Sequence, residues 1–296
     1  MTDVPEEVAA VVRALVSSSS LIECIEVSKK SAVYRVWRGG THSPVIVKRC
    51  ATGLGVVERF MYDELLPTIG VEHLELYETT TDQNGAIWLV MEDAGIRRPD
   101  LATVTHRRLL TEWVGRLHAA TRHISRPLVL PDRGLSYFRA RLMQCTRELE
   151  MRCDQEGNDL DANATMQRAM ESCRRLEFAW PHLTLACEPF ASCVVHGDLA
   201  TENLRIEVAP SGDRLLVLDW EKSGWGVPAI DMLYVEPSSY ALSMVKTRGA
   251  TQASIEQLRL VGRFFRLLDH QWTTKSLGKL ERGERRFSNL LLESGW

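Results

Sequence analysis

Asp198, Asn203 and Asp219 stand five and sixteen residues apart, in "HGDLATEN" and "LLVLDWE", where short runs of Val, Leu and Ile stop. Two carboxylates and an amide offer the oxygen ligands that a hard divalent cation takes, and a carboxylate held at the end of a strand can also accept a proton. Lys48 closes "VIVK", a β-branched run that places a cation on a strand. Plainer readings exist for each. Asp and Asn favour turns through local backbone bonds, and a strand lysine can snorkel its ammonium to water. Two acids and an amide could also bind Mg²⁺ or Ca²⁺ structurally, but that account leaves Lys48 unexplained.

Phosphoryl transfer from a nucleotide asks little covalent chemistry of a protein. It needs metal to neutralise phosphate charge, a cation on the phosphates and a carboxylate to take the nucleophile's proton. The segments supply each part in order. "HGDLATEN" has the kinase catalytic-loop spacing, H-x-D with Asn at the fifth position after the Asp; "LDWE" occupies the place of D-F-G; "VIVK" resembles V-A-I-K.

With those residues in view, the chain resembles the aminoglycoside phosphotransferase and choline kinase-like family, the small-molecule branch of the protein-kinase-like fold. The resemblance runs through "VIVK", "VERFMYDELLP", "LVMEDAG", "RLHA", "HGDLATEN", "LDWE" and "GVPAIDM". It implies Asp198 as catalytic base, Asn203 and Asp219 as Mg²⁺ ligands, and Lys48 on the phosphates of ATP or GTP. The acid that orients Lys48 is implied to be Glu58, with Glu64 as rival, since helical phase alone does not separate them. The adenine-facing hinge falls at Met91, Glu92 and Asp93. His196 and His118 read as buried braces, and Asp231 resembles a family position that holds the catalytic loop from a helix start.

Two departures qualify the resemblance. The phosphate-covering loop of that family usually carries Gly or Asn, whereas "SKKSAVY" (28–34) has no Gly, so contact there is expected from Ser28, Lys30, Ser31 or backbone N–H groups. Position 200 is Ala, where protein kinases that act on Ser or Thr commonly have Lys.

Around these residues the sequence first reads as strands. Asp3 and Glu6 form a capping box before Val8, Val11, Val12 and Leu15 at helical spacing, and "SSSS" stops that helix. "AVYRVWR", "VIVKRC", "LELYETT" and "AIWLVM" are β-rich, the last pair joined through Asn84-Gly85, and "GVVERFMYDELLPTIG" between them is helical. After residue 95 the texture turns to amphipathic helices, broken by the acidic stretch 154–164. "SCVV", "LRIEV" and "RLLVLD" then return as strands, and Ile255, Leu258, Val261, Phe265 and Leu268 stripe a late helix. The expectation is an α+β, bilobal protein-kinase-like fold: a small antiparallel lobe over 1–92, and a helical lobe over 93–296 with an insertion at about 137–180.

Composition sets the remaining bounds. At 296 residues, 45% hydrophobic and net charge −3, the chain is globular and gives no general reason to bind nucleic acid. Seven scattered cysteines without a C-x-x-C pair suggest reduced thiols, and no signal peptide or membrane-length apolar run appears. A cytoplasmic protein without membrane or protein partner is expected. Only eleven residues separate Asp219 from Asp231, with no A-P-E, too few to seat a peptide as protein kinases do. The acceptor is therefore a small-molecule hydroxyl; a nucleotide-binding pseudokinase is the competing class. Between 198 and 236 eight acids face three bases, so a cationic acceptor is expected, met by Glu221, Glu236 and Asp269.

Overall fold

A computed structural model describes residues 6–16, 19–38, 43–155, 160–210, 212–243, 251–270, 272–274 and 276–295. The expected cap at Asp3 lies outside the described residues. Helix α1 (Glu6–Leu15) leads into strands β1 (Ser19–Val27), β2 (Ser31–Arg38) and β3 (Val45–Cys50). Helices α2 (Gly55–Phe60) and α3 (Leu66–Ile69) flank a π-helical turn at Met61–Leu65, and the hairpin β4 (Leu76–Thr81) and β5 (Ile87–Glu92) follows. Next come α4 (Val104–Thr121), β6 (Asp132–Arg133), α5 (Leu135–Gln155), α6 (Leu160–Phe178), α7 (Trp180–Cys187) and β7 (Cys193–Val195). The chain continues with β8 (Leu204–Ala209), β9 (Gly212–Val217), β10 (Gly224–Gly226), α8 (Pro237–Ser243), α9 (Gln252–Asp269) and α10 (Leu277–Ser294). No helix among the described residues is long and apolar enough to cross a membrane.

The chain divides into two compact units, residues 1–109 with 198–223, and 110–197 with 224–296. The β8–β9 hairpin groups with the N-terminal residues because Ile206 donates its N–H to Arg97 O at 2.8 Å and Arg205 Nε donates to Gly95 O at 3.1 Å.

In the first unit the five strands run β1-β2-β3-β5-β4, each neighbour antiparallel. Period-two alternation turns Ala32, Tyr34 and Val36 of β2 inward to meet Val45, Val47, Trp88, Val90 and the helix-side Val12 and Val16. Lys48, one residue beyond Val47, therefore emerges on the opposite face, opposite Val33 and Leu89. Strand β1 was not expected from the sequence. It is an edge strand whose Leu21, Ile25 and Val27 remain exposed and whose Glu23 and Glu26 interrupt any apolar run. At the start of α2, a Cβ on Gly55 would stand 2.8 Å from Cys50 Cβ and 2.9 Å from Ile87 Cβ. Only glycine lets this helix lie against β3 and β5, and that seat fixes where Glu58 points.

The second unit holds a small sheet, β6-β10-β7, and the long helices. The apolar stripe of α9 is buried at Ile255, Leu258, Val261, Phe265 and Leu268, as its spacing predicts. Phe265 stacks on Phe138 of α5 at 3.9 Å between ring centroids, and Thr251 with Ser254 closes a capping box at the helix start. A Cβ at Gly262 would meet Ala229 O at 1.8 Å, so α9 can lie directly on the 3₁₀ turn Pro228–Asp231. The resulting α+β class, a small antiparallel sheet with a larger helical part, is the expected one.

Candidate active site

In the first unit, Lys48 Nζ lies 2.9 Å from Glu58 Oε1, 2.7 Å from Glu58 Oε2 and 2.7 Å from Asp219 Oδ1. One ammonium thus joins β3, α2 and the segment after β9. Glu58 is 1% exposed, whereas Glu64 is exposed on the far side of the π-helical turn, so the partner of Lys48 is Glu58. Burial opposes the Lys48 charge, but Glu58 and Asp219 more than offset it and hold the ammonium well above its usual range. Burial pushes the Glu58 carboxyl up, against the pull of Lys48. Cys50 Sγ sits 3.6 Å from Glu58 Oε2, and burial together with that carboxylate pushes the thiol up to about 12.

Asp219 has φ 65, the one positive φ of a non-glycine among the described residues. A non-glycine backbone held there costs about 1 kcal/mol or more and persists where its surroundings enforce it, often at functional sites. Its side chain stays one-third exposed. Asn203, in the 3₁₀ turn Thr201–Asn203, donates its Nδ2 to Asp198 O at 2.9 Å, which leaves Oδ1 as an acceptor. A carboxylate oxygen and an amide oxygen suit Mg²⁺, which keeps water and phosphate oxygens in its shell and needs few protein ligands.

Asp198 itself takes Lys222 Nζ at 2.8 Å on its Oδ2. Lys222 is a functional candidate that the motif reading passed over, although a cation three residues after Asp219 was visible. It sits on the 3₁₀ turn Trp220–Lys222 beside Glu221, which is half-buried.

A cavity of about 490 Å³ opens in this unit, lined by Val33, Ile46, Leu74, Met91 and Leu218 as apolar walls. Its polar lining includes Ser31, Lys48, Glu58, Asn203 and Asp219, and Glu92, Asp93, Ala94 and Gly95 form the strip after β5. That size and mixture suit a nucleotide-sized ligand. Asp93 does not point freely into it: Arg35 Nε donates to Asp93 Oδ2 at 2.6 Å, and Gly95 N–H to Oδ1 at 2.8 Å. Arg35, on β2, was not a sequence candidate.

The β1–β2 turn shows how a loop without glycine is held. Ser28 Oγ accepts the N–H groups of Lys30 at 3.2 Å and Ser31 at 3.0 Å. A serine hydroxyl so organises the turn, and those two N–H groups are taken.

Braces predicted from the sequence lie in the second unit. Asp231 is 2% exposed and accepts His196 N–H at 2.7 Å and Gly197 N–H at 2.9 Å, the two residues preceding Asp198. His118 Nε2 meets the same carboxylate at 3.2 Å, and its Nδ1 meets Tyr240 Oη at 2.8 Å. The other two acceptor candidates have close partners here. Glu236 accepts Ser238 N–H at 3.1 Å and Ser239 N–H at 2.7 Å at the start of α8, bonds with Ser239 first among them that lower its carboxyl pKa. Asp269 accepts Tyr137 Oη at 2.7 Å and pairs with Arg133 at 3.3 Å. Of the three, Glu221 is the one placed in the same unit as Asp198.

A family model described as Phosphotransferase enzyme family matches residues 24–254. A search of curated proteins gives no match. Among solved structures, choline kinase from Cryptosporidium parvum Iowa II aligns with TM-score 0.63 at 12% identity, covering 98% of this chain and 95% of that one. A microcompartment-associated aminopropanol kinase aligns with TM-score 0.60 at 15% identity, covering 98% of each chain. The GDP complex of aminoglycoside 2'-phosphotransferase-IIIa aligns with TM-score 0.63 at 11% identity, covering 99% of this chain and all of that one. At such identities the likeness establishes the fold.

Proposed function

The chain belongs to the phosphotransferase enzyme family, and from that premise we propose that it moves the γ-phosphate of ATP or GTP to a hydroxyl of a small molecule, of amino-alcohol or aminoglycoside type. The observation that carries this reading is the contact of Lys48 with both Glu58 and Asp219 on the wall of a nucleotide-sized cavity.

In the proposed reaction the purine lies among Val33, Ile46, Leu74, Met91 and Leu218, with backbone of residues 92–95 along its edge. Lys48, kept charged and oriented by Glu58, pairs with phosphate oxygens. Asp219 and Asn203 would hold Mg²⁺, which would neutralise phosphate charge. Asp198 accepts the proton of the acceptor hydroxyl as its oxygen bonds to the γ-phosphorus. The bond from that phosphorus to the bridging oxygen breaks, and its electron pair leaves with the nucleoside diphosphate. The named activities of the choline and aminopropanol kinases, both with amino-alcohol acceptors, favour an amine-bearing substrate here. Glu221 is its nearest acid in sequence to the metal-binding Asp219.

A panel of amino alcohols, aminoglycosides and neutral polyols, each incubated with Mg²⁺ and ATP or GTP, tests the reading. Phosphorylated product and nucleoside diphosphate in equal amounts are expected for at least one hydroxyl compound. Nucleotide binding with no transfer to any member, and no acceptor-independent hydrolysis, would favour a binding protein instead.

A further inference from the structure

Tyr62 carries a buried hydroxyl with no hydrogen-bond partner, in the one place where the α2–α3 segment leaves α-helical winding. The π-helical turn at Met61–Leu65 delivers its side chain to the cavity wall, four residues after Glu58, and only 2% of the residue is exposed. Such turns recur at functional sites because the extra residue re-aims a side chain at the cost of helix geometry. The Trp220 indole is the neighbour able to donate to this oxygen. Indole can only donate, so the hydroxyl proton would lack an acceptor even if that bond closed.

Charged neighbours of the hydroxyl are Glu58, Lys48 and Asp219, and burial followed by the Glu58 charge holds the phenol well above its usual range. Lys48 is shared by the two carboxylates, so a single positive charge serves two negative ones. When Lys48 and Asp219 turn to phosphate and metal, the Glu58 carboxylate keeps a smaller share of the ammonium. It then needs another donor, and the Cys50 thiol at 3.6 Å is a weak one.

Resting on the phosphotransferase reading, we propose that Tyr62 is a positioning residue: its hydroxyl donates to Glu58 in the nucleotide-loaded protein and so keeps Glu58 aimed at Lys48. The Tyr62 hydroxyl, which has no hydrogen-bond partner, is the donor half of that bond. No proton is transferred; the phenol stays protonated throughout.

Thermal unfolding and calorimetric binding of Mg·ATP and Mg·GTP to wild type and Tyr62→Phe test this. Removing a buried hydroxyl that lacks a partner should leave the nucleotide-free midpoint unchanged or raise it, while the Kd for the nucleotide that wild type binds should rise about three- to tenfold. On a Glu58→Gln background the effect of Tyr62→Phe on Kd should disappear. A lower nucleotide-free midpoint with Kd unchanged overturns the proposal and makes the hydroxyl a structural partner of Trp220. If both quantities move, persistence of the Kd effect on the Glu58→Gln background overturns it. Wild type that binds neither nucleotide removes the phosphotransferase reading and this inference with it, whereas wild-type binding left untouched by Tyr62→Phe removes the inference alone.

Discussion

Lys222 Nζ stands 2.8 Å from Asp198 Oδ2, so the carboxylate proposed as base is held by a cation that lies only three residues beyond Asp219. The pair ties the loop carrying Asp198 and Asn203 to the turn carrying Asp219. Asp198→Asn should retain nucleotide binding and lower turnover about a hundred- to ten-thousand-fold. Lys222→Ala should lower kcat by about tenfold with the donor KM unchanged, since a carboxylate that has lost this ammonium samples other rotamers. Steady-state kinetics in both substrates measure the two; a Lys222→Ala defect confined to donor KM would place that lysine on the nucleotide.

The buried pair of Lys48 and Glu58 predicts an asymmetry between acids. Glu58→Gln should raise the donor KM about tenfold, and Glu64→Gln, on an exposed position, should change nothing. Lys48→Met should in addition cost about 3–5 kcal/mol of stability, because it strands a buried carboxylate beside a second acid. Urea unfolding of the nucleotide-free protein reads that cost directly.

Asp219→Ala should abolish transfer and remove the Mg²⁺ dependence of nucleotide binding, the carboxylate being the charged member of the proposed metal pair. Titration of nucleotide with and without Mg²⁺ checks it. Binding that remains equally Mg²⁺-dependent in the variant would place the metal elsewhere.

Glu236 gives a pH-dependent prediction. Its pKa is lowered in the folded protein, first by its bonds with Ser239, so its contribution is present above the unfolded carboxyl value and is lost as pH falls through the folded one. Glu236→Ala should therefore destabilise at pH 7 by about 1 kcal/mol, the usual worth of a helix cap, with the gap to wild type closing in strongly acidic buffer. Melting curves across that range measure it; a gap that is constant with pH would mean the capping charge is irrelevant.

For a cationic acceptor, Glu221→Gln should raise the acceptor KM and flatten the fall of kcat/KM with ionic strength near 0.1 M, where the Debye length is about 10 Å. Asp269→Asn should act on stability, as that acid is already neutralised by Arg133 and supported by Tyr137. Acceptor kinetics at two salt concentrations separate these roles.

Local sequence was enough to determine which residue types stand at strand ends and in which order, and hence that Lys48, Asp198, Asn203 and Asp219 are the groups to which the proposed chemistry is assigned. Spacing of this kind depends on short-range backbone geometry: period-two alternation puts Lys48 on the face opposite Val47, and the Asn84-Gly85 turn pairs β4 with β5. Tertiary structure decided what spacing cannot encode. Glu58 and Glu64 differ by six residues on one helical segment, and the choice between them rests on Gly55 seating α2 against Cys50 and on the π-helical turn that changes the phase between them. The cationic partners of Asp198, Asp93 and Asp269 likewise come from through-space packing, in which an acid counted as available from its sequence neighbours finds its cation on another element. Net local charge was legible in the chain; how much of it remained for a substrate depended on which side chains the fold had already paired.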